Sequence, residues 1–380
     1  MKKLLFVALA LLLSVLLTAC TLPPIGQNPD DGVEPKNRIF YEYFDTVCTF
    51  YDYTGGTDEE FKQRYLMIDA ELKACHELFD IYHTYEGINN IKTVNDAAGG
   101  EPVKVDERLI ELLEFSREMY DKTDGNVNVM MGSVLSIWHK HRTGIQYCAE
   151  CDTDRNALTQ EKDGKKVWYC SSCGAENVHL EVKTLPDMDK LRAAAEHTDI
   201  SSLEINSDEG TVRISDGDAS LDVGAIAKGF VAERIAKMLE NTGVYAYALD
   251  LGGNLRVGEK LSGEGWQGAI RNPELYTDEP YIRMLEVKNE ALVTSGSYER
   301  FYTVDGVRYH HIINKDTLMP ENRYASVSIL TPSSAVADAL STALFNMSEE
   351  EIERTLVSFP ETEVTLVYPD GRVEIIESGE

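Results

Sequence analysis

Positive charge is scarce in this sequence. Its 380 residues include 36 Lys and Arg against 65 Asp and Glu, which gives a formal net charge of −29. We find no local cluster of basic residues that would offset this balance. A surface this acidic repels nucleic acid and anionic lipid, so no nucleic-acid partner is expected.

Repeats and strong compositional bias are also absent. The chain is 43% hydrophobic and 27% charged, an ordinary globular composition that excludes a disordered or a fibrous protein. The lack of a fixed-period repeat argues against a solenoid or a propeller. At a rough prior of about 150 residues per domain, the length allows one large domain or two medium ones.

The one long apolar run lies at the start of the chain. Two lysines precede residues 4–19, sixteen positions of which only Ser14 and Thr18 are polar. A membrane-spanning helix needs about 20 apolar residues, so we expect a cleaved signal peptide over residues 1–19. No later stretch is apolar enough to span a bilayer.

The end of this run, Leu17-Thr18-Ala19-Cys20, resembles the lipobox of bacterial lipoproteins. That resemblance implies that Cys20 carries the lipid, including palmitate, after cleavage. Residues 20–38 would then form a lipidated tether, because Pro, Gly and acidic residues follow Cys20. We expect a protein anchored by lipid at the extracytoplasmic face of the bacterial cell membrane, with its folded domain over residues 39–380.

Four of the seven cysteines form two close pairs. They are Cys148-x2-Cys151 and Cys170-x2-Cys173, with eighteen residues between the pairs. This is the spacing of a four-thiolate zinc ribbon, and it predicts a small inserted knuckle over residues 140–182 that holds Zn²⁺. Disulfides are the alternative, since export makes them accessible. Four thiolates complete a structural site, so these flanking residues are not needed as ligands: His139, His141 and His179.

The remaining hydrophobic pattern predicts an α+β domain with a mostly antiparallel sheet. Helices are predicted at residues 59–79, 106–120, 187–197, 226–239 and 334–347. Strands are predicted at residues 40–53, 245–249, 254–257, 266–271, 284–288, 325–330, 364–368 and 373–376, with a hairpin over 203–214. One domain with one insertion fits this order best.

Two stretches combine glycine with polar residues beside a helix. Residues 123–128, Thr-Asp-Gly-Asn-Val-Asn, follow a helix, and taken alone they favour a simple helix stop. Residues 220–230 turn through Gly224 into a helix whose free N–H groups and Lys228 suit a phosphate. A solvated surface lysine is the alternative to that interpretation.

Two further stretches carry groups suited to proton transfer and to a hard cation. Residues 293–298 place small hydroxyl side chains around a glycine, and His310-His311 follows, of which a strand would turn only one toward a site. Farther along, Asp338 and Thr342 share one helix face and offer the oxygen ligands that Mg²⁺ prefers. Surface histidines and a helix-dipole partner are the alternatives.

Taken in order, these stretches resemble the FAD:protein FMN transferases, also called ApbE-type flavin transferases. The family pattern runs Asp-Gly, LDxGxIAKGxxxDR, Leu-Gly-Gly, TSGxYxRF…YxHII and ADALxTALF. Its counterparts here are residues 123–125, 221–234, 251–253, 294–301 with 309–313, and 337–345. The resemblance covers about residues 39–368 outside the insertion. It implies a single ApbE-like (T-fold-like) domain.

The resemblance also implies roles for particular residues. The implied FAD contacts are Tyr85 (with Tyr82 as a competing alignment), Asn126, Val127, Asn128, Asp222, Lys228 and Ile312. The implied Mg²⁺ ligands are the Ala225 carbonyl, Asp338 and Thr342, with Ser341 close by. The groups expected to act in catalysis are His311 and Asp338, of which His311 is the better placed base.

Members of this family move the FMN half of FAD onto a Thr or Ser hydroxyl of a partner protein and release AMP. The implied partner is an extracytoplasmic acceptor, a membrane electron-transport subunit. The chain lacks the acceptor motif Asp-x-x-Thr/Ser-Gly-Ala-Thr/Ser, so flavinylation is expected in trans. Two alternatives stay open: an FAD pyrophosphatase that yields FMN and AMP, and a non-catalytic flavin-binding or zinc-binding lipoprotein.

The sequence departs from the family pattern at three places. Val127-Asn128 stands for Phe-Asp, Asn314-Lys315 stands for Asp-Pro, and Glu233 stands for Asp. None of these departures removes an implied metal ligand. The four-cysteine insertion is also foreign to the plain pattern.

Overall fold

A computed structural model describes most of the chain. The described residues are 20–21, 35–143, 146–148, 150–151, 153–154, 157–162, 165–170, 173–176, 178–180, 184–274 and 277–379. The predicted signal peptide, residues 1–19, and most of the predicted tether lie outside them. Among the described helices, none has the length and apolar character needed to cross a membrane.

The strands, in chain order, are β1 Cys20–Thr21, β2 Lys36–Phe40, β3 Cys48–Asp52, β4 Val103–Lys104, β5 Gln146–Cys148, β6 Thr153–Asp154, β7 Ala157–Lys162, β8 Lys165–Cys170, β9 Val178–Leu180, β10 Leu203–Asn206, β11 Thr211–Ile214, β12 Tyr247–Leu251, β13 Asn254–Val257, β14 Trp266–Arg271, β15 Tyr281–Val287, β16 Ala291–Gly296, β17 Phe301–Val304, β18 Val307–His310, β19 Ser326–Thr331, β20 Glu363–Val367 and β21 Val373–Glu377. The α-helices are α1 Asp58–Phe79, α2 Ile91–Asp96, α3 Glu107–Lys122, α4 Gly132–Thr143, α5 Met188–Ala195, α6 Ala227–Asn241, α7 Ser334–Phe345 and α8 Glu349–Leu356.

One antiparallel sheet organises the domain. Its eight strands lie in the order β2-β3-β12-β13-β16-β19-β20-β21. The smaller sheets are β1-β14-β15, β10-β11-β4 and the hairpin β17-β18. The described part of the insertion forms separate pairings, β6-β5-β9 and β7-β8, that do not extend the large sheet.

The two faces of the large sheet bury different partners. Because side chains alternate along a strand, Leu249 and Leu251 of β12 join the main core with α6 and α7, while Ala248 faces the β14-β15 hairpin. On that second face, Trp266 packs against Leu255 and donates its indole N–H to the Gly258 carbonyl. The sheet is thus covered by helices on one side and by a hairpin on the other.

Helices α6 and α7 approach each other closely at Gly229. A Cβ at this position would lie 2.3 Å from the Ser334 carbonyl oxygen and 2.4 Å from the Asp338 Cβ, so only glycine allows the crossing. The Glu233 carboxylate accepts a hydrogen bond from the Ser334 amide, 2.9 Å away, and so caps the start of α7. The crossing therefore places Asp338 directly beside the first turn of α6.

Most predicted elements exist, but the strand predicted over residues 40–53 is wrong. The structure has a hairpin there, in which β2 and β3 pair around a turn. Phe44 and Asp45 take positive φ values of 55° and 51° in this turn. Since neither residue is glycine and the flanking residues are aromatic, the composition gave no sign of a turn.

Three helices went unpredicted: α2, α4 and α8. Helix α4 matters for function, because it continues to Thr143 and so includes the residues 140–143 that were predicted to open the insertion. Its Trp138 donates its indole N–H to the Leu318 carbonyl, 3.0 Å away. The Trp138 ring also lies 6.3 Å from the rings of Tyr302 and Tyr309, so α4 packs against the β17-β18 hairpin.

Candidate active site

Asp338 is the centre of the site. Its side chain is buried, with 5% of the residue exposed. One carboxylate oxygen accepts from the Gly229 amide at 2.8 Å, and the other lies 3.7 Å from the Lys228 Nζ. With its amide oriented to satisfy both neighbours, Asn254 donates to Asp338 and accepts from Lys228, each at 3.2 Å. Three chain segments, α6, β13 and α7, thus meet at this carboxylate.

Opposing effects act on the pKa of the Asp338 carboxyl. Burial raises the pKa of the Asp338 carboxyl above its ordinary value, whereas Lys228, the Gly229 amide and Asn254 act to lower it. Burial also raises the pKa of Glu299 to about 7, against the opposing charges of Arg271, Arg300 and Lys228. Cationic and acidic groups therefore act together on the buried Asp338 and the partly buried Glu299.

The other implied Mg²⁺ ligands lie on α7 and in the turn before α6. The Ser341 hydroxyl donates to the Asp338 carbonyl at 2.9 Å and lies 2.8 Å from the Ser295 hydroxyl. Thr342 follows on α7 and is partly exposed, and Ala225 lies in the turn that leads into α6. Carboxylate, hydroxyl and carbonyl oxygens are the donors that Mg²⁺ prefers, so the donor set fits this ion.

The first turn of α6 is capped from outside its own N-cap residue. Ile226 makes no side-chain cap hydrogen bond, but the Gly229 amide donates to the Asp338 carboxylate and the Ala227 amide donates to the Val223 carbonyl at 2.9 Å. The preceding turn is held in place, because the Asp222 carboxylate accepts from the Gly224 amide at 2.9 Å. Asn95 makes two further bonds, to the Leu221 amide at 2.7 Å and the Leu221 carbonyl at 3.0 Å.

The segment 126–128 lies next to this turn, since the Asp222 amide donates to the Val129 carbonyl at 2.8 Å. The side chains of this segment are occupied by contacts within the protein. Val127 is buried in the core, Asn126 donates to the Thr123 carbonyl, and Asn128 donates to the Thr198 carbonyl. The structure thus brings the segment to the site, with its backbone adjoining Asp222.

The two candidate tyrosines differ in their surroundings. The Tyr85 hydroxyl donates to the Asp80 carboxylate at 2.7 Å. The Tyr82 hydroxyl lies 3.0 Å from His139 Nδ1. Burial and then Asp222 raise the pKa of Tyr82, while Arg142 and Arg300 oppose the rise. Tyr82, which is exposed, thus contacts His139 of α4, whereas Tyr85 is bonded to Asp80.

Of the adjacent histidines, His310 uses both ring nitrogens in hydrogen bonds to the backbone. Its Nε2 bonds to the Glu321 carbonyl at 2.6 Å, and its Nδ1 accepts from the amide of the buried Ile312 at 3.2 Å. The Nδ1 atom of His311 is buried without a hydrogen-bond partner among the described residues. Burial, followed by Arg300, His310, Arg142 and Lys228, holds the pKa of His311 well below its ordinary value. The ring is therefore neutral near pH 7 and can accept a proton.

Several groups at the site were not predicted. Asn254 directly follows the Leu-Gly-Gly motif, so the motif gave a signal one residue away. His139 and Arg142 belong to α4, and both line a cavity of about 10 Å³ together with His311. The sequence analysis had set His139 aside as a residue flanking the insertion. No local pattern reveals that α4 packs against the strand end that carries His311.

The departures from the family pattern are accommodated locally. The Asn314 side-chain oxygen accepts from the amides of Asp316 and Thr317, at 2.9 Å and 3.0 Å. An aspartate would accept the same bonds. The longer Glu233 reaches the start of α7, as described above.

The four predicted cysteines converge. Their sulfur atoms all lie within 4.8 Å of one another. Cys148 and Cys173 are separated by 3.7 Å, and Cys151 and Cys170 by 3.8 Å. A disulfide joins its sulfurs at about 2.05 Å, whereas two sulfurs on a tetrahedral Zn²⁺ with bonds of about 2.3 Å lie roughly 3.8 Å apart. The thiols are free in this structure, and their spacing fits a metal.

Comparison with known proteins agrees with this geometry. The model of the ApbE family matches residues 44–366. The chain belongs to the ApbE family. A Treponema pallidum (strain Nichols) relative named FAD:protein FMN transferase is 33% identical over 295 residues, covering 74% of this chain and 72% of the relative. A Vibrio cholerae relative of the same name is 26% identical over 281 residues, covering 73% and 72%.

Solved ApbE structures share the fold. The ApbE protein of Thermotoga maritima aligns with a TM-score of 0.69 at 23% identity, covering 90% of this chain and 96% of that one. The flavin transferase ApbE from Vibrio cholerae aligns with a TM-score of 0.68 at 22% identity, covering 91% and 98%. These structures confirm the predicted α+β class, with antiparallel sheets and packed helices.

Proposed function

We propose that this ApbE-family protein transfers the FMN moiety of FAD to a Thr or Ser hydroxyl of a partner protein and releases AMP. One observation carries the proposal: Lys228, Asn254 and the Asp338 carboxylate meet at the start of α6. A helix start with a nearby lysine suits a pyrophosphate. The curated relatives named FAD:protein FMN transferase supply the chemistry.

In this proposal, the nucleotide is held by Lys228 at the start of α6. Mg²⁺, when held by the oxygens of Asp338, Thr342 and Ala225 with Ser341 nearby, would spread the charge of the pyrophosphate. The proposed contacts of the flavin nucleotide are Tyr85, or Tyr82 in the competing alignment, and the backbone beside Asp222. Phosphoryl transfer needs chiefly such positioning and charge stabilisation, with little covalent help.

His311 is the proposed base. Its neutral ring would take the proton of the acceptor hydroxyl as the hydroxyl oxygen bonds to the FMN phosphorus. The bond from that phosphorus to the bridging oxygen of the pyrophosphate breaks at the same time, and AMP leaves with the bridging oxygen. The transfer thus forms one P–O bond, breaks one P–O bond and moves one proton.

The test is an incubation with FAD, Mg²⁺ and an acceptor domain that carries the motif Asp-x-x-Thr-Gly-Ala-Thr. We expect flavin fluorescence that stays with the denatured acceptor and that depends on Mg²⁺. Free FMN without labelled acceptor would instead indicate the pyrophosphatase. No product in the presence of bound FAD would indicate a flavin-binding protein without this activity.

We propose further that the cysteines hold one Zn²⁺. The support is the sulfur spacing of 3.7 Å and 3.8 Å in the two closest pairs. Elemental analysis of the purified protein should find about one zinc per chain, released by a thiol-modifying reagent. Cys148→Ser with Cys151→Ser should abolish zinc retention. A zinc-free protein with two disulfides after purification would contradict the proposal.

The final proposal concerns location. The lipobox-like sequence ending at Cys20 supports a lipid-anchored protein outside the cytoplasm, and a membrane electron-transport subunit is the proposed acceptor. Cys20→Ser should move the protein from the membrane fraction to the soluble fraction and remove labelling by palmitate. Unchanged membrane association of this variant would contradict the anchor.

A further inference from the structure

The charged pair at the centre of the site is held apart. The Lys228 Nζ lies 3.7 Å from the Asp338 Oδ1, whereas a direct hydrogen bond between an ammonium and a carboxylate is about 2.7–2.9 Å long. Asn254 bridges the two groups in the orientation that satisfies both. Its amide nitrogen donates to the same Oδ1 at 3.2 Å, and its amide oxygen accepts from the Nζ at 3.2 Å. The ammonium therefore bonds to the amide rather than directly to the carboxylate.

Strand β13 sets the position of this amide. Asn254 is 2% exposed and begins the strand, which pairs with β12 on one side and with β16 on the other. Because side chains alternate along a strand, Leu255 faces the β14-β15 hairpin, whereas Asn254 and Arg256 face helix α6. Arg256 pairs there with Glu240 at 3.2 Å. A buried amide is costly without partners, and the partners of Asn254 are the two charged groups of the site.

This arrangement leaves both charges available to ligands. The second carboxylate oxygen of Asp338 accepts from the Gly229 amide at 2.8 Å, and a carboxylate oxygen can accept more than one bond. Acceptor positions therefore remain for a cation. The Lys228 ammonium likewise has more N–H donors than the one that faces Asn254, and its side chain is 23% exposed. Direct contact between the two groups would instead cancel much of the local charge that attracts a cation or an oxyanion.

We propose that Asn254 is a positioning residue that keeps the Lys228 ammonium and the Asp338 carboxylate apart. The ammonium thereby stays available to a phosphate oxyanion, and the carboxylate stays available to a divalent cation. Asparagine suits this task because its amide presents one donor side and one acceptor side. An aspartate would place two carboxylates together, and a leucine would supply neither bond. This inference rests on the proposed function.

The experiment is a double-mutant cycle of Asn254→Ala and Lys228→Met, with binding rather than activity as its readout. The first constant is the Kd for Mn²⁺ alone, measured by electron paramagnetic resonance of the free ion, since Mn²⁺ shares the preference of Mg²⁺ for oxygen ligands. The second is the Kd for FAD, measured by calorimetry. With Lys228 present, Asn254→Ala lets the ammonium reach the carboxylate, so each constant should weaken by about tenfold or more.

The Lys228→Met background isolates the role of the ammonium. No ammonium remains there to contact Asp338, so Asn254→Ala should change the Mn²⁺ Kd far less than it does with Lys228 present. A purely structural asparagine would give the same fold-change in both backgrounds, because its effect would not depend on Lys228.

Thr331→Val is the matched control. The Thr331 hydroxyl lies 3.0 Å from the Thr362 hydroxyl, and both residues are 3% exposed. Thr331 pairs with Ala291, at the end of β16 away from Ser295. This variant removes a buried hydrogen bond from the same sheet and should leave both constants unchanged. Denaturant unfolding of each variant verifies that the fold is retained.

The outcomes separate this inference from the proposed function. Unchanged constants in Asn254→Ala, or equal fold-changes in the Mn²⁺ Kd with and without Lys228, would overturn the role of Asn254. If the wild-type chain binds no Mn²⁺, the cation site and this role fail together. If the cycle behaves as expected and the wild-type chain transfers no FMN, the proposed function fails and the role of Asn254 stands.

Discussion

The two ends of the active site are built in opposite ways. At the Asp338 end, the buried carboxylate has three partners, and a helix crossing that admits only glycine sets their positions. At the His311 end, a buried ring nitrogen has no partner in the described chain, and Arg142 lines the same cavity as this ring.

This difference separates two tasks. A preorganised, internally satisfied centre costs no rearrangement when a pyrophosphate and a cation bind. Unsatisfied groups at the other end become satisfied only when a substrate supplies the missing partners. The comparison indicates that the Asp338 end holds the nucleotide and that the His311 end receives the acceptor hydroxyl. The predictions below test this division.

Asp338→Asn should have the largest effect. The amide keeps the size of the side chain and removes its charge, so the cation and Lys228 lose their common partner. We expect kcat/KM for FMN transfer to fall by about 10³-fold or more. Asp316→Asn, an exposed carboxylate beside Lys315, is the matched control. Near-normal rates for Asp338→Asn would show that this end does not hold the cation.

His311→Gln should lower kcat by about 10²-fold or more, since a positioned base contributes that much. The FAD Kd should change little, because the division places nucleotide binding at the other end. Single-turnover rates and FAD titration measure the two quantities separately. A large loss of FAD affinity with an unchanged transfer rate would reverse the roles of the two ends.

The main effect of Gly229→Ala should be on the free energy of unfolding. Its Cβ would meet the Ser334 carbonyl at 2.3 Å, and such overpacking costs about 1–3 kcal/mol. Denaturant unfolding measures this loss. Gly217→Ala is the control, since its nearest atoms would lie 3.8 Å away. Equal stability of the two variants would mean that the helix crossing tolerates expansion, contrary to a preorganised centre.

The pH profile should show the smallest effect. The pKa of His311 is held well below its ordinary value by burial and by positive neighbours, so the base stays unprotonated as the pH falls to 6.5. Activity should drop only when the pH falls through the lowered pKa. Removing one neighbour with Arg300→Gln should raise that pKa and move the acidic limb of kcat/KM to higher pH. If the acidic limb of kcat/KM does not move, the charge of Arg300 does not influence the pKa of His311.

The motifs predicted much of the Asp338 end. Lys228 and Asp338 each stand in a local motif. The first motif indicates a helix start and the second an oxygen-ligand face, and both follow from spacing along a single helix, α6 for Lys228 and α7 for Asp338. Asn254 was missed because its contact with Asp338 joins a strand start to a helix 84 positions later in the chain. Such contacts depend on how elements cross, and side-chain periodicity does not encode that.

The His311 end was predicted least well. The motif identified His311, and the choice between Tyr82 and Tyr85 depended on a loop after α1 that has no regular period. His139 and Arg142 lie on a helix that the sequence analysis missed, beside an insertion that drew attention to the cysteines. Only packing of α4 against the β17-β18 hairpin brings these groups to the base.

The sequence by itself determined the family, the antiparallel α+β class and the four cysteines that come together. These depend on residue chemistry at short spacing, which any copy of the chain carries before it folds. The tertiary structure decided how deeply Asp338 is buried, which groups contact its carboxylate, and that α4 lies beside His311. Burial and charge proximity arise from contacts between distant segments, and they set the pKa values on which the proposed chemistry depends.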